Sequence, residues 1–366
     1  MVLHILSDSK FTDYVINQFS ADEMHSEFVV IPSGSGHSFT KNDKVNIIKY
    51  PSKQFSTLLS NFDKYSGIIL HGLFWPYDED IINSVPKDVK IAWYFWGGEI
   101  YSHVNIMYSF LAPVTSLFYR IHLIRKSSRH DLEYWRLPLE LFKKIDYCLT
   151  SEYEEYEFAK NYTNSEMKFL WYTCYSLEET IGSLINERSR GENIMFCNSA
   201  AVENNMFDAL FKFCKLSYRK RIKGRKVIMP LSYGAIWIKN LMLRLGPLFF
   251  DRFEPLTAFK PRDEYNKIML DCSTLILPYY SPAGQGNIIT ALWLGMRVYL
   301  SKKSIAFRYF RRIGIIIYSF EDDFIKYGCN VMSEEHVTRN REILKRIYSK
   351  TAVLQSVRNL INTLEK

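Results

Sequence analysis

The stretch Thr274-Leu-Ile-Leu-Pro-Tyr-Tyr-Ser-Pro-Ala-Gly284-Gln285-Gly286-Asn287-Ile-Ile-Thr-Ala-Leu-Trp-Leu-Gly295 decides the fold. An apolar run short enough for a buried strand meets a loop of small residues, and an uncharged helical pattern starts near Asn287. Free backbone N–H groups and the positive end of the helix dipole then converge on one point, a arrangement suited to a pyrophosphate. The loop is neither a Walker motif nor G-x-G-x-x-G, so its weight comes from that strand-loop-helix context. An earlier segment, Asn193-Ile-Met-Phe-Cys-Asn198-Ser199-Ala-Ala, has the same grammar.

Working outward, short apolar runs alternate with helical segments along the chain, as in parallel sheets covered on both faces. The pattern predicts strands at Val2–Leu6, Phe28–Ile31, Val45–Ile48, Gly67–His71, Lys90–Phe95, Tyr147–Thr150 and Lys168–Trp171. After a polar stretch between about Tyr175 and Glu192, strands are expected again at Ile194–Cys197, Lys226–Met229, Leu248–Phe250, Thr274–Leu277, Arg297–Leu300 and Ile315–Ile317. The expected fold class is therefore α/β with two Rossmann-like domains, residues 1–180 and 181–366, facing across a cleft, and with C-terminal helices closing the chain. Among glycosyltransferases that arrangement is called GT-B. A length of 366 residues suits two such domains better than one core.

The formal charge of +8 is concentrated. Seven Lys/Arg and no acid lie between Lys215 and Lys226, and seven against three acids lie between Arg120 and Lys144. The second tract interleaves Arg120, Arg125, Lys126 and Arg129 with apolar and aromatic residues, which suits an anionic membrane surface; an ordinary basic helix pair is the plainer alternative. No nucleic-acid module frames either tract, so no nucleic-acid partner is expected. The 25 Tyr, 25 Phe and 7 Trp suit sugar stacking or a membrane interface alike. Six scattered cysteines form no CxxC or Cys/His cluster, so neither a zinc site nor a disulfide framework is indicated and a reducing cytoplasm fits. The start of the chain reads as a buried strand, and Tyr108 to Ile124 is a poor membrane span because Pro113, Arg120 and His122 interrupt it.

In open α/β sheets, ligands sit beyond the carboxyl ends of the strands. His71 ends one strand, with Gly72 allowing a sharp turn, so its imidazole is a candidate base or sugar ligand; a strand-capping histidine is the alternative. Glu99 follows Gly97-Gly98 at the end of another, either as a base or as a first-turn helix acid. For the donor phosphates, candidates are Asn198, Ser199, Asn204 and Asn205 after one strand, and Ser232 and Tyr233 after the next. Gly284, Gln285, Gly286 and Asn287 in the glycine loop complete the set. Caps and plain turns would use the same residue types. No Asp-x-Asp pair directly follows a strand, so no catalytic metal or other cofactor is expected.

Taken in order, five blocks resemble a known family: His71-Gly-Leu-Phe-Trp-Pro, Trp93-Tyr-Phe-Trp-Gly-Gly-Glu-Ile-Tyr, Cys197-Asn-Ser with Asn204-Asn205, Pro230-Leu-Ser-Tyr-Gly, and Gly286-Asn-Ile-Ile with Leu294-Gly-Met-Arg-Val-Tyr-Leu. They are similar to the 4-alpha-L-fucosyltransferase family, glycosyltransferase family 56, from about Gly67 to Gly314. Met206 stands where that family tends to have His, and Ser281-Pro282-Ala283 where it tends to have Arg-Gln-Gln. The resemblance implies a transferase peripheral to the cytoplasmic face of the bacterial inner membrane. It would move a deoxyaminosugar, 4-acetamido-4,6-dideoxyhexose-like, from a dTDP-sugar to a polyprenyl-pyrophosphate-linked saccharide in surface polysaccharide synthesis. An epimerase of the same fold would want more carboxylates near the glycine loop, and a non-enzymatic basic adaptor would not need His71 and Glu99 at strand ends.

Overall fold

The computed structural model describes residues 1–9, 11–21, 25–32, 40–125 and 136–366. The chain divides into two compact units, each with its own parallel sheet. The first contains Met1–Ser102, the described residues 136–176 and Tyr348–Lys366. The second contains the described residues 103–125 and Leu177–Ile347.

In the first unit, β1 (Val2–Ser7), β2 (Ser26–Ile31), β3 (Asn46–Ile47), β4 (Gly67–His71), β5 (Lys90–Tyr94), β6 (Tyr147–Thr150) and β7 (Lys168–Trp171) stand in the order β3-β2-β1-β4-β5-β6-β7. The reversal between β1 and β4 is the topological switch of a Rossmann sheet, beside which ligands bind. In register, Leu6 stands beside His71 and Val2 beside Gly67. One face of this sheet buries Val2, Leu6, Phe28, Val30 and Ile69 against Val15, Ile16 and Phe19 of the helix Thr12–Phe19.

The chain's last helix, Lys350–Leu364, completes that core with Val357, Leu360, Ile361 and Leu364. A Cβ at Gly67 would lie 2.9 Å from Leu364 Cβ, so the helix packs on bare backbone there. The closing helix therefore serves the first unit, whereas contiguous halves would have given it to the second.

In the second unit, β8 (Asn193–Phe196), β9 (Lys226–Pro230), β10 (Arg252–Leu256), β11 (Cys272–Leu277), β12 (Arg297–Leu300) and β13 (Tyr318–Ser319) stand in the order β10-β9-β8-β11-β12-β13. Two expectations shift. Leu248–Phe250 is not a strand: the helix Ile236–Phe249 buries Ile238, Met242 and Gly246 at a four-residue spacing and runs on through Pro247, and the strand follows at Arg252–Leu256. Pro255, which cannot donate to a ladder, is tolerated because β10 is an edge strand. Ile315 and Ile317 are buried, but among the described residues the segment pairs with no strand, because the Asn340 side chain accepts from Ile316 N at 2.7 Å and donates to Ile316 O at 3.0 Å, in place of a neighbouring strand.

Residues 103–125 carry the helices Val104–Ser109 and Pro113–Arg125. Asp208 receives Val114 N at 2.9 Å and Thr115 N at 2.7 Å, satisfying orphan donors at the start of the second helix. Among the described residues, no helix is long and apolar enough to cross a membrane.

Candidate functional site

In the first unit, His71 lines a cavity of about 230 Å³ together with the rings of Phe11, Phe74 and Trp96 and the side chains of Ser7, Ser9 and Thr12. That volume lies below the roughly 300–1,000 Å³ of sites for drug-sized ligands and suits one small ring. Trp96 stacks on Phe11 with centroids 4.9 Å apart. Gly72 adopts φ +102, and a Cβ there would lie 2.7 Å from Phe74, so the turn that presents His71 needs glycine on both counts.

The His71 imidazole is buried, and its Nε2 lies 3.1 Å from Nδ1 of His4, a fully buried residue of β1. Its Nδ1 has no partner among the described residues. Desolvation pushes the His71 pKa down to about 3, so the ring is neutral near pH 7 and one of its two nitrogens carries a lone pair.

Glu99 does not line this cavity. It sits in the first turn of the short helix Gly98–Tyr101, and its Oε1 accepts from Trp93 Nε1 at 3.2 Å and Trp96 N at 3.3 Å. These bonds fit the first-turn acid better than the base. Burial raises its pKa to about 7. Because the folded value is raised, the carboxyl's contribution to stability is full below about pH 4.5 and is lost as pH rises through about 7. Glu99→Gln keeps an acceptor for both donors and removes the buried charge, so it is expected to raise Tm more at pH 8 than at pH 5 in thermal denaturation. The Asp78-Glu79-Asp80 triplet lies inside the helix Pro76–Ser84, where Asp78 accepts Trp75 N at 2.8 Å and Asp80 accepts the Tyr50 hydroxyl at 2.9 Å.

In the second unit, the helix Gln285–Trp293 begins at Gly284, whose φ is +64. Its first intrahelical bond runs from Ile288 N to Gly284 O, and among the described residues the amides of Gly286 and Asn287 have no protein acceptor. Gly284 is backed by Asn198, just beyond β8: a Cβ on Gly284 would lie 2.6 Å from Asn198 Nδ2. Asn198 is 8% exposed, and its Oδ1 is buried without a partner among the described residues. Four of the expected donor residues, Asn198, Gly284, Gly286 and Asn287, are thus associated around one turn, and Gln285 opens the same helix.

The other candidates have mostly structural employment. Asn205 is fully buried, with Oδ1 accepting Ala112 N at 2.8 Å and Nδ2 donating to Phe110 O at 3.0 Å. Its carboxamide is consumed in holding residues 103–125, which corrects the donor-binding expectation. Asn205→Leu leaves both backbone groups buried and unpaired and is expected to cost about 2–4 kcal/mol in denaturant unfolding. Asn204 Nδ2 donates to Ser199 O at 2.7 Å and to Ser199 Oγ at 2.9 Å, and so shapes the loop. That loop is tied to the next one by Ala200 N to Tyr233 O at 2.8 Å. Ser232 is half-buried, while Tyr233 is 60% exposed at the edge of the loop.

Searches of family models and of curated proteins find no match to the sequence. Solved structures do match. Sucrose-phosphate synthase from Thermosynechococcus elongatus is 9% identical with a TM-score of 0.61, covering 100% of this chain and 99% of its own. A lipopolysaccharide outer core galactosyltransferase is 11% identical with a TM-score of 0.60, covering 99% of each chain. An alpha,alpha-trehalose-phosphate synthase (UDP-forming) from Burkholderia xenovorans, in complex with glucose-6-phosphate, is 10% identical with a TM-score of 0.59, covering 100% of each. The fold is GT-B. At such identities the likeness carries the fold alone.

On this GT-B chain, the basic-aromatic tract falls partly outside the described residues, namely at Lys126 and Arg129 and in the side chain of Arg125. Arg120 is exposed on the helix Pro113–Arg125, beside exposed Leu117, Phe118 and Ile121. The sequence reading missed His4, Phe11 and Phe74. Phe11 could have been found, because it stands shortly after the end of β1 just as the selected residues follow their strands. His4, inside an apolar strand, carries no such signal.

Proposed function

We propose that this GT-B chain is a glycosyltransferase that uses a nucleoside-diphosphate sugar. The observation that carries this reading is the pairing of the open Gly286 and Asn287 amides with the buried, unpartnered Asn198 carboxamide oxygen around a side-chain-free turn. Amides that donate to a diphosphate make charge-assisted bonds worth about 1.5–3 kcal/mol each, against roughly 0.3–1 kcal/mol for the helix dipole. The bonds therefore dominate. The Asn198 oxygen would accept from a donor hydroxyl.

On the acceptor side, a hydroxyl held at the first unit's cavity loses its proton to His71 as its oxygen bonds the anomeric carbon. The bond from that carbon to the diphosphate oxygen breaks, and the electron pair leaves with the diphosphate. This describes transfer with inversion. The aromatic walls suit the apolar face of a sugar ring. From the family resemblance we take the donor to be a dTDP-linked 4-acetamido-4,6-dideoxyhexose and the acceptor a polyprenyl-pyrophosphate saccharide. One structural relative is described as bound with UDP-2-fluoro glucose, another nucleotide sugar.

Calorimetric titration with dTDP, UDP and GDP, followed by radiolabelled transfer to a polyprenyl-pyrophosphate saccharide, tests the reading. Binding by none of the three nucleotides would remove it.

For the anionic membrane surface, Arg120 with Leu117 and Ile121 offers a cation beside exposed apolar side chains. Leu117→Asp combined with Ile121→Asp is expected to reduce co-sedimentation with phosphatidylglycerol vesicles several-fold. Unchanged sedimentation would detach this helix from the membrane assignment.

A further inference from the structure

His71 belongs to a buried relay that the strand-end argument does not explain. His4 Nδ1 lies 3.1 Å from His71 Nε2, and His4 Nε2 lies 3.3 Å from Ser26 Oγ at the start of β2. The His4 ring is wedged between Phe19, at a centroid distance of 4.3 Å, and Phe28, at 4.8 Å, so it has little freedom to turn. A neutral imidazole pair can share this contact in two ways. If His4 donates, His71 carries its own proton on Nδ1, leaving a buried N–H without an acceptor. If His71 Nε2–H donates, Nδ1 is a bare acceptor. Buried donors are left unpaired more rarely than acceptors, so the second arrangement is favoured.

We propose that His4 is a positioning residue: its Nδ1 accepts the His71 Nε2 proton and its own Nε2–H donates to Ser26, so that His71 meets the acceptor hydroxyl with an unprotonated Nδ1. The proposal rests on the reading of His71 as the base. During transfer, the hydroxyl proton moves to Nδ1, the oxygen bonds the anomeric carbon, and the diphosphate leaves with the electron pair of the broken bond. His71 becomes an imidazolium still donating through Nε2 to His4, and it returns the Nδ1 proton to solvent after product leaves. The logic is that of a base oriented by a third group.

The test is a multiple-bond proton–nitrogen correlation spectrum of the full chain labelled with nitrogen-15 histidine at pH 7, alongside kinetics of variants. The wild type should show His71 protonated at Nε2 and bare at Nδ1. His4→Phe should leave KM unchanged and lower kcat at least about tenfold, as part of the roughly 10²–10⁴-fold carried by a general base. His4→Asn, which puts an amide oxygen where Nδ1 stood, should recover most of that loss. A wild-type spectrum with the His71 proton on Nδ1 overturns the proposal and needs no variant to fold. So does wild-type kcat in folded His4→Phe. His71→Gln separates the two readings: full activity there removes the base itself, whatever the spectrum shows.

Discussion

His71→Gln should lower kcat by roughly 10²–10⁴-fold, the usual contribution of a positioned general base, while the melting curve stays close to that of the wild type. Glutamine suits the test because its amide nitrogen can take the place of the imidazole Nε2, 3.1 Å from His4 Nδ1. The variant thus removes Nδ1 without leaving the buried His4 unpartnered. A truncation to alanine would add a cavity and confuse lost chemistry with lost packing. Donor binding, which the proposed reading places on the second unit, should be unchanged by titration. Full turnover in His71→Gln would strike the residue from the mechanism.

The pH profile gives a second view of the same group. Burial holds the His71 pKa down at about 3, so the ring remains a free base from pH 5 to 8. The acid limb that an unperturbed histidine would cause at about 6.5 is therefore not expected from His71.

Much of this was legible in the sequence because parallel strands are short apolar runs and their carboxyl ends are marked by glycine and small polar residues. His71-Gly72, Asn198-Ser199 and Gly284–Asn287 all carry that mark. The misread elements have physical causes. The run ending Gly246-Pro247-Leu248-Phe249 is apolar enough for either a helix or a strand, and the four-residue burial spacing settles it as helix. Ile315–Ile317 is as apolar as a strand, but Asn340 takes the backbone bonds at Ile316 that a neighbour would have made.

At the site, the same chemistry allowed two employments. Asn198 and Asn205 both follow β8, yet Asn198 keeps an unpartnered oxygen and Asn205 spends both ends on Phe110 and Ala112. Sequence separations of 95 and 93 residues made that expenditure invisible. Glu99 was balanced between base and first-turn acid, and only the bonds from Trp93 and Trp96 tilt it toward the latter.

Gly284→Val should abolish measurable nucleoside-diphosphate binding, with a loss of at least about 100-fold, or roughly 2.7 kcal/mol. Two independent costs combine. The backbone at Gly284 has φ +64, a left-handed conformation that a β-branched residue occupies only under strain. The new Cβ would also lie 2.6 Å from Asn198 Nδ2, forcing either the loop or the carboxamide to move. Each escape damages the proposed donor site, because the loop aims the Gly286 and Asn287 amides and the carboxamide supplies the unpartnered oxygen. Two lost charge-assisted bonds at about 1.5–3 kcal/mol each already exceed the threshold stated above. Asn198→Ala separates the two contributions: it makes room beside Gly284 and leaves the amides in place, so its loss should be smaller, about tenfold. In the double variant Asn198→Ala with Gly284→Ala the steric part of the clash is gone while the strain at φ +64 remains, so adding Asn198→Ala to Gly284→Ala should cost clearly less than the roughly tenfold it costs alone. A full further loss of about tenfold in the double variant by calorimetry would mean that Asn198 does not buttress the turn.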